Sequence, residues 1–193
     1  MDHGATADVD RSSSQSSLSE SYEAWRNRFA ADRLKVLYYL GLVANPVFIG
    51  ADALLYRPHL QELLLIRAVL ETGLVGGFLA LRRQLAVFKP QVLLAFWIVF
   101  PNICIVHMTL VLGGFTSSYY NGLNLVFLAA AVIVPVSWRS HLTAQVMTLI
   151  YYYSANFSFR TDPAAMNAAI ENSFFLVWTC VALLFSVYFY ERL

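Results

Sequence analysis

Charge is what this sequence has least of. Only 13% of its 193 residues are Asp, Glu, Lys or Arg, against about a quarter in a soluble domain. Hydrophobic residues make up 59%, too many to hide in one water-soluble core of so short a chain. Lipid must be part of its solvent. A net charge of +1 with no basic cluster argues against a nucleic-acid partner. The two cysteines, Cys104 and Cys180, both fall inside apolar runs, so neither a disulfide framework nor a paired-cysteine metal spacing is present. Gly-x-Gly-Asp, His-Glu-x-x-His and Ser-x-x-Lys signatures are missing, as is a phosphate-cradling glycine loop. A lone Glu71 makes no hydrolase. The expectation is a membrane protein that is not itself an enzyme and has no resident cofactor.

Residues 1–21 are rich in Ser and Asp and lack the apolar centre of a signal peptide. Composition predicts disorder there. Over 22–35, Tyr22, Trp25 and Phe29 alternate with Arg26, Arg28, Arg33 and Lys35. That suits a short helix lying in the cytoplasmic interface, and a solvated helical lead-in fits equally well. Six apolar runs follow, near 36–56, 60–81, 90–112, 119–137, 142–159 and 169–190, each close to the ~20 residues that cross the hydrocarbon. With the N-terminus inside, Arg26, Arg28, Arg33, Lys35, Arg82, Arg83, Lys89, Arg139 and Arg192 collect on one side, and only Arg57 and Arg160 on the other. The positive-inside rule then places both termini in the cytoplasm. The predicted fold is all-α: a six-helix bundle over 36–193 in the inner (plasma) membrane. Loops are too short for a soluble catalytic domain, and the lack of an internal repeat weakens a transporter reading. The last run continues to Leu193 without a cap, which suggests connection to a cytoplasmic partner.

Polar residues inside the runs are where recognition could reside. Arg67 and Glu71 lie four apart on one helix face, and a charge at mid-membrane costs about 2.5–3.5 kcal/mol even on insertion scales. They form either a structural pair or part of a ligand site. Asn45-Pro46 and Pro101-Asn102 place a helix-kinking proline beside an amide in two runs. Asn45 either satisfies a freed carbonyl or lines the space beside the kink. Gly73 and Gly77 have the spacing that lets helices approach closely, within the bundle or between two copies. His107 is the one histidine within a run. A haem held by His107 and His59 would need distortion, because the two differ in depth. Tyr119, Tyr120, Asn121, Asn124, Tyr152 and Asn156 approach the same outer leaflet as Arg67 and His107. With Glu71 they outline a polar-lined cavity open outward, suited to a small, partly lipophilic ligand.

The stretch Gly113-Gly114-Phe115-Thr116-Ser117-Ser118-Tyr119-Tyr120-Asn121-Gly122-Leu123-Asn124 resembles the Gly-Gly-x-x-Ser-Pro-Tyr-Tyr-Ala-Gly-Leu-Asn segment of six-helix sensory membrane modules. Those modules precede bacterial histidine kinases and class III adenylate or guanylate cyclases. Asn45-Pro46 and Arg67 look similar too, and the layout resembles the receptors of quorum-sensing kinases, whose ligands are small lipophilic ketones. Ser118 stands where proline is usual and Asn121 where alanine is usual. The resemblance implies a homodimer and a helix leading to a cytoplasmic cyclase or kinase. Two other readings stay open: a membrane redox or transport protein using His107, Glu71 and Arg67, and a ligand-free anchor associating through Gly73 and Gly77.

Overall fold

The computed structural model describes residues 5–83, 90–134, 137–159 and 162–192. It is helical throughout, with no strand among the described residues. Six helices follow one another: α1 (Ala5–Leu55), α2 (Leu60–Arg82), α3 (Pro90–Val111), α4 (Asn121–Ile133), α5 (Trp138–Phe159) and α6 (Pro163–Arg192). Short 3-10 turns at Arg57–His59, Gly114–Thr116 and Ser118–Tyr120 make the tight connections.

The backbone of α1 is one helix from Ala5 onward, through the stretch whose composition predicts disorder and on through 22–35. Residues 1–4 lie outside the described part. Between Ala5 and Leu40 there is neither proline nor glycine, so no residue in this stretch interrupts the hydrogen-bond ladder. Pro46 and Pro101 both sit inside continuous helices.

Side-chain contacts set the directions. Tyr38 packs over Gly77, and farther along α1 Asn45 reaches the Arg67 carbonyl of α2, so these two helices are antiparallel. The Tyr38 hydroxyl donates to the Leu93 carbonyl at 3.4 Å, and Trp97 lies close to Gly41, which aligns α3 with α1. Gln145 meets the Cys180 carbonyl and Tyr153 meets Ser173, making α5 and α6 antiparallel. The glycines explain the close approaches. A Cβ on Gly73 would strike the Phe100 ring of α3, and one on Gly77 the Tyr38 ring of α1. Both glycines therefore pack neighbours of the same chain.

The core is continuous, from Leu37 and Tyr38 through Leu74, Trp97 and Val106 to Phe127 and Leu176. The outside is apolar as well: Val43, Leu54, Ile150, Phe174, Trp178 and Phe189 are all exposed. A surface of that kind suits lipid. Among the described residues, four segments are long and apolar enough to cross a membrane: Arg28–Leu55, Arg57–Arg82, Val92–Val111 and Pro163–Arg192. Of the two further runs predicted from sequence, α4 has only 13 residues, about 20 Å of helix. Its partner α5 has 22 residues but spends many of them on polar side chains. Five of those polar side chains, His141, Gln145, Thr148, Tyr152 and Asn156, are buried in the bundle, while Arg139, Thr143, Ser154 and Ser158 are exposed.

Candidate functional site

One end of the bundle gathers the turn after α1 and the hairpin between α3 and α4. Tyr56 of the first meets the second twice, through its hydroxyl to Ser118 Oγ at 3.2 Å and through its ring to Tyr119 at 5.5 Å. Just beneath lies Arg67, buried on the inner side of α2. Asn45, Phe48 and Asp52 are spaced three and four apart, so they share the α1 face turned towards it. The guanidinium donates from Nε to Asp52 Oδ2, from Nη1 to Asn45 Oδ1 at 2.9 Å and from Nη2 to the Tyr119 hydroxyl at 3.0 Å. The Phe48 ring centroid is 5.5 Å from the guanidinium carbon, within cation–π range. Asn45 also donates from Nδ2 to the Arg67 carbonyl at 3.1 Å and to Glu71 Oε2 at 2.8 Å.

The local Arg67–Glu71 pairing offered by the sequence is therefore not what forms. Arg67 ion-pairs across the hairpin with Asp52, and Glu71 is held through Asn45. The i,i+4 order with Arg first is the poorer geometry, whereas Asp52 meets the guanidinium from a separate helix. Asp52 is the member of this cluster that sequence reasoning does not single out. The available signal was an acid inside the first apolar run, seven residues beyond Asn45 and hence on the same face.

The hairpin itself is built on Gly113 and Gly114, with φ of 99° and 69°, values other residues adopt only with strain. That reversal drives Phe115 into the bundle, where it is 2% exposed. Its ring packs against Phe157 at 5.0 Å and Tyr152 at 5.6 Å, both on α5. Asn172 of α6 donates to the Phe115 carbonyl at 2.7 Å. Ser117 Oγ accepts from the Tyr119 amide, setting the second turn.

The predicted site residues fall into separate groups. Arg67, Glu71, Asn45 and Tyr119 join one network. Tyr152 and Asn156 line the pocket filled by Phe115. Asn156 donates from Nδ2 to the Tyr152 carbonyl, while its buried Oδ1 has no partner and faces Gly114. The Tyr152 hydroxyl is buried beside the Asn172 amide without reaching hydrogen-bond geometry. Tyr120 is half-buried against the core, Asn124 buries an unpartnered Oδ1, and Asn121 is exposed, capping the Ser118 carbonyl. His107 does not join Arg67. It faces outward and hydrogen-bonds the Tyr151 hydroxyl at 2.9 Å. Among the described residues, no three His, Cys, Asp or Glu side chains are placed to hold a metal ion. A recess of about 420 Å³ opens sideways between Ala68, Val69, Thr72 and Gly73 of α2 and Phe100 of α3, on the side of α2 away from Arg67.

No protein-family model matches the chain, and no curated protein or solved structure matches it either.

Proposed function

We propose that this chain is a membrane-embedded sensory module, with six spans and both ends cytoplasmic, that recognises a small lipophilic ligand at its outer end. Motion of α6 would then pass the signal to a cytoplasmic cyclase or kinase, in a homodimer like that of the modules the hairpin resembles. One observation carries the reading. The Gly113–Tyr120 hairpin is tied to α2 by the Arg67–Tyr119 hydrogen bond and to α6 by the Asn172–Phe115 hydrogen bond. A ligand that displaces Phe115 or Tyr119 would shift α6 relative to α2, provided its affinity differs between the two arrangements. The flanking charges agree with the orientation: Arg28, Arg33, Lys35, Arg82, Arg83, Arg139 and Arg192 lie towards the end away from the hairpin.

The test is thermal stabilisation of the purified chain in nanodiscs by a panel of lipophilic hydroxy- and oxo-compounds. A stabilising compound whose effect disappears in Tyr119→Phe and Asn172→Leu, both still inserted and folded, is the expected result. If no compound shifts the wild-type melting temperature, or if both variants respond as wild type does, the hairpin is not the receptor site.

A further inference from the structure

The inward face of α5 is polar at every buried position but Ala144. His141, Gln145, Thr148, Tyr152 and Asn156 follow at spacings of four, three, four and four, and all five are buried. They span about 22 Å at 1.5 Å per residue, from the Trp138 end of the bundle to the underside of the hairpin. Asn102 of α3, fully buried, and Asn124 of α4 belong to the same interior. Ile105 packing on Gly122, and His141 facing the Phe127 carbonyl, set the register of α3, α4 and α5. That register puts Asn102, Asn124 and Thr148 within roughly two helical turns of one another in depth.

The hydrogen bonds in this seam are few and one-sided. His141 Nε2 meets the Phe127 carbonyl, Gln145 donates to the Cys180 carbonyl, and Asn156 donates to the Tyr152 carbonyl. Reaching no partner in hydrogen-bond geometry are His141 Nδ1, Thr148 Oγ1, the Tyr152 hydroxyl, Asn156 Oδ1, Asn124 Oδ1 and both polar atoms of Asn102, although the Gln145 side chain lies beside His141 and the Asn172 side chain beside Tyr152. Buried polar groups are ordinarily hydrogen-bonded, to protein or to ordered water. The remaining orphans, at Thr148 and Asn156 of α5, Asn124 of α4 and Asn102 of α3, therefore point to a partner outside the chain. No Asp, Glu, Lys or Arg faces this seam from α3, α4 or α5, whose one charged residue, Arg139, precedes His141. The partner is thus uncharged, donates as well as accepts, and is small enough to repeat along 22 Å of helix.

We propose that the polar face of α5 is a hydration seam, a file of water molecules running from beneath Gly114 towards His141. Water enters as α5 eases away from α3 and α4, since in the present packing the orphaned atoms are closed off from solvent. The seam gives water a path between the two ends of the bundle, independent of whether the hairpin binds a ligand.

Cysteine accessibility tests this directly. In a Cys104→Ala, Cys180→Ala background that melts as wild type, Thr148→Cys is compared with Leu176→Cys in the dry core and Ile150→Cys on the lipid face. The probe is a small, charged methanethiosulfonate reagent, which reacts with thiolate only where water reaches it. Thr148→Cys is expected to react at least about tenfold faster than either control, because an apolar setting suppresses the thiolate. Equal rates at all three positions overturn the proposal. A second readout needs no cysteine. Thr148→Val and Asn102→Leu in the otherwise native chain should lower the melting temperature or leave it unchanged if water satisfies those groups. A rise in both would show the seam to be dry and would also overturn it.

Discussion

The Arg67 cluster and the α5 seam are both polar, both buried and both enclosed by apolar helices, yet they are built in opposite ways. Around Arg67 three donor nitrogens meet three different side chains, an acid cancels the charge, and Asn45 serves two acceptors at once. Along α5 the side chains meet mostly backbone carbonyls of other segments, and four polar groups reach no partner in hydrogen-bond geometry. Apart from the buried Asp52 Oδ1, which has no partner, the charged groups of the first region are ion-paired or hydrogen-bonded, as expected where an unpaired ion costs far more than an unpaired amide or hydroxyl. The first region is consequently a clamp, fixed in one geometry. The second can tolerate changing partners, which suits a part of the molecule that takes up water or moves.

The sharpest way to break that contrast is to remove the acid of the clamp. Asp52→Ala leaves a buried guanidinium without its counter-ion, and should cost about 3–5 kcal/mol, read as loss of folded protein in denaturant titration in detergent. Replacing both partners, Asp52→Leu with Arg67→Met, should cost clearly less than Asp52→Ala alone. If the double variant is the worse of the two, the pair contributes net stability beyond mutual compensation. Tyr119→Phe removes one hydrogen bond to a charged group, worth about 1.5–3 kcal/mol, and should lower the same transition by less. Gly77→Ala forces a methyl against Tyr38 and should cost about 1–3 kcal/mol through overpacking, testing the apolar contact that holds α1 to α2 below the clamp. The smallest effect is expected at His107→Phe. That side chain is exposed and meets only the Tyr151 hydroxyl and ring, so stability should change by no more than about 0.5 kcal/mol. A drop comparable to Asp52→Ala would mean that His107 belongs to a buried network after all.

Much of the candidate site was visible in the sequence as residue types, and less of it as partnerships. Arg67 stands out because a charge inside an apolar run is costly, and it is indeed buried, with each guanidinium nitrogen hydrogen-bonded. The hairpin stood out by its paired glycines, and both take positive φ. The role of Asp52 is not legible in the sequence because its partner is 15 residues away on another helix, a distance that no local spacing rule covers. His107 looked equivalent to Arg67 in depth, but depth says nothing of azimuth. The structure turns His107 outward and Arg67 inward.

The sequence by itself determined the solvent, the helical class and the approximate places of the chain reversals. Those follow from hydropathy, from the absence of glycine and proline over long stretches and from their presence at turns, all of them local properties. Only the tertiary structure decided which acid neutralises Arg67, that Gly73 and Gly77 serve two different neighbouring helices, and that the polar face of α5 turns inward. These choices depend on the rotation of each helix about its axis, and that rotation is set by all its neighbours together.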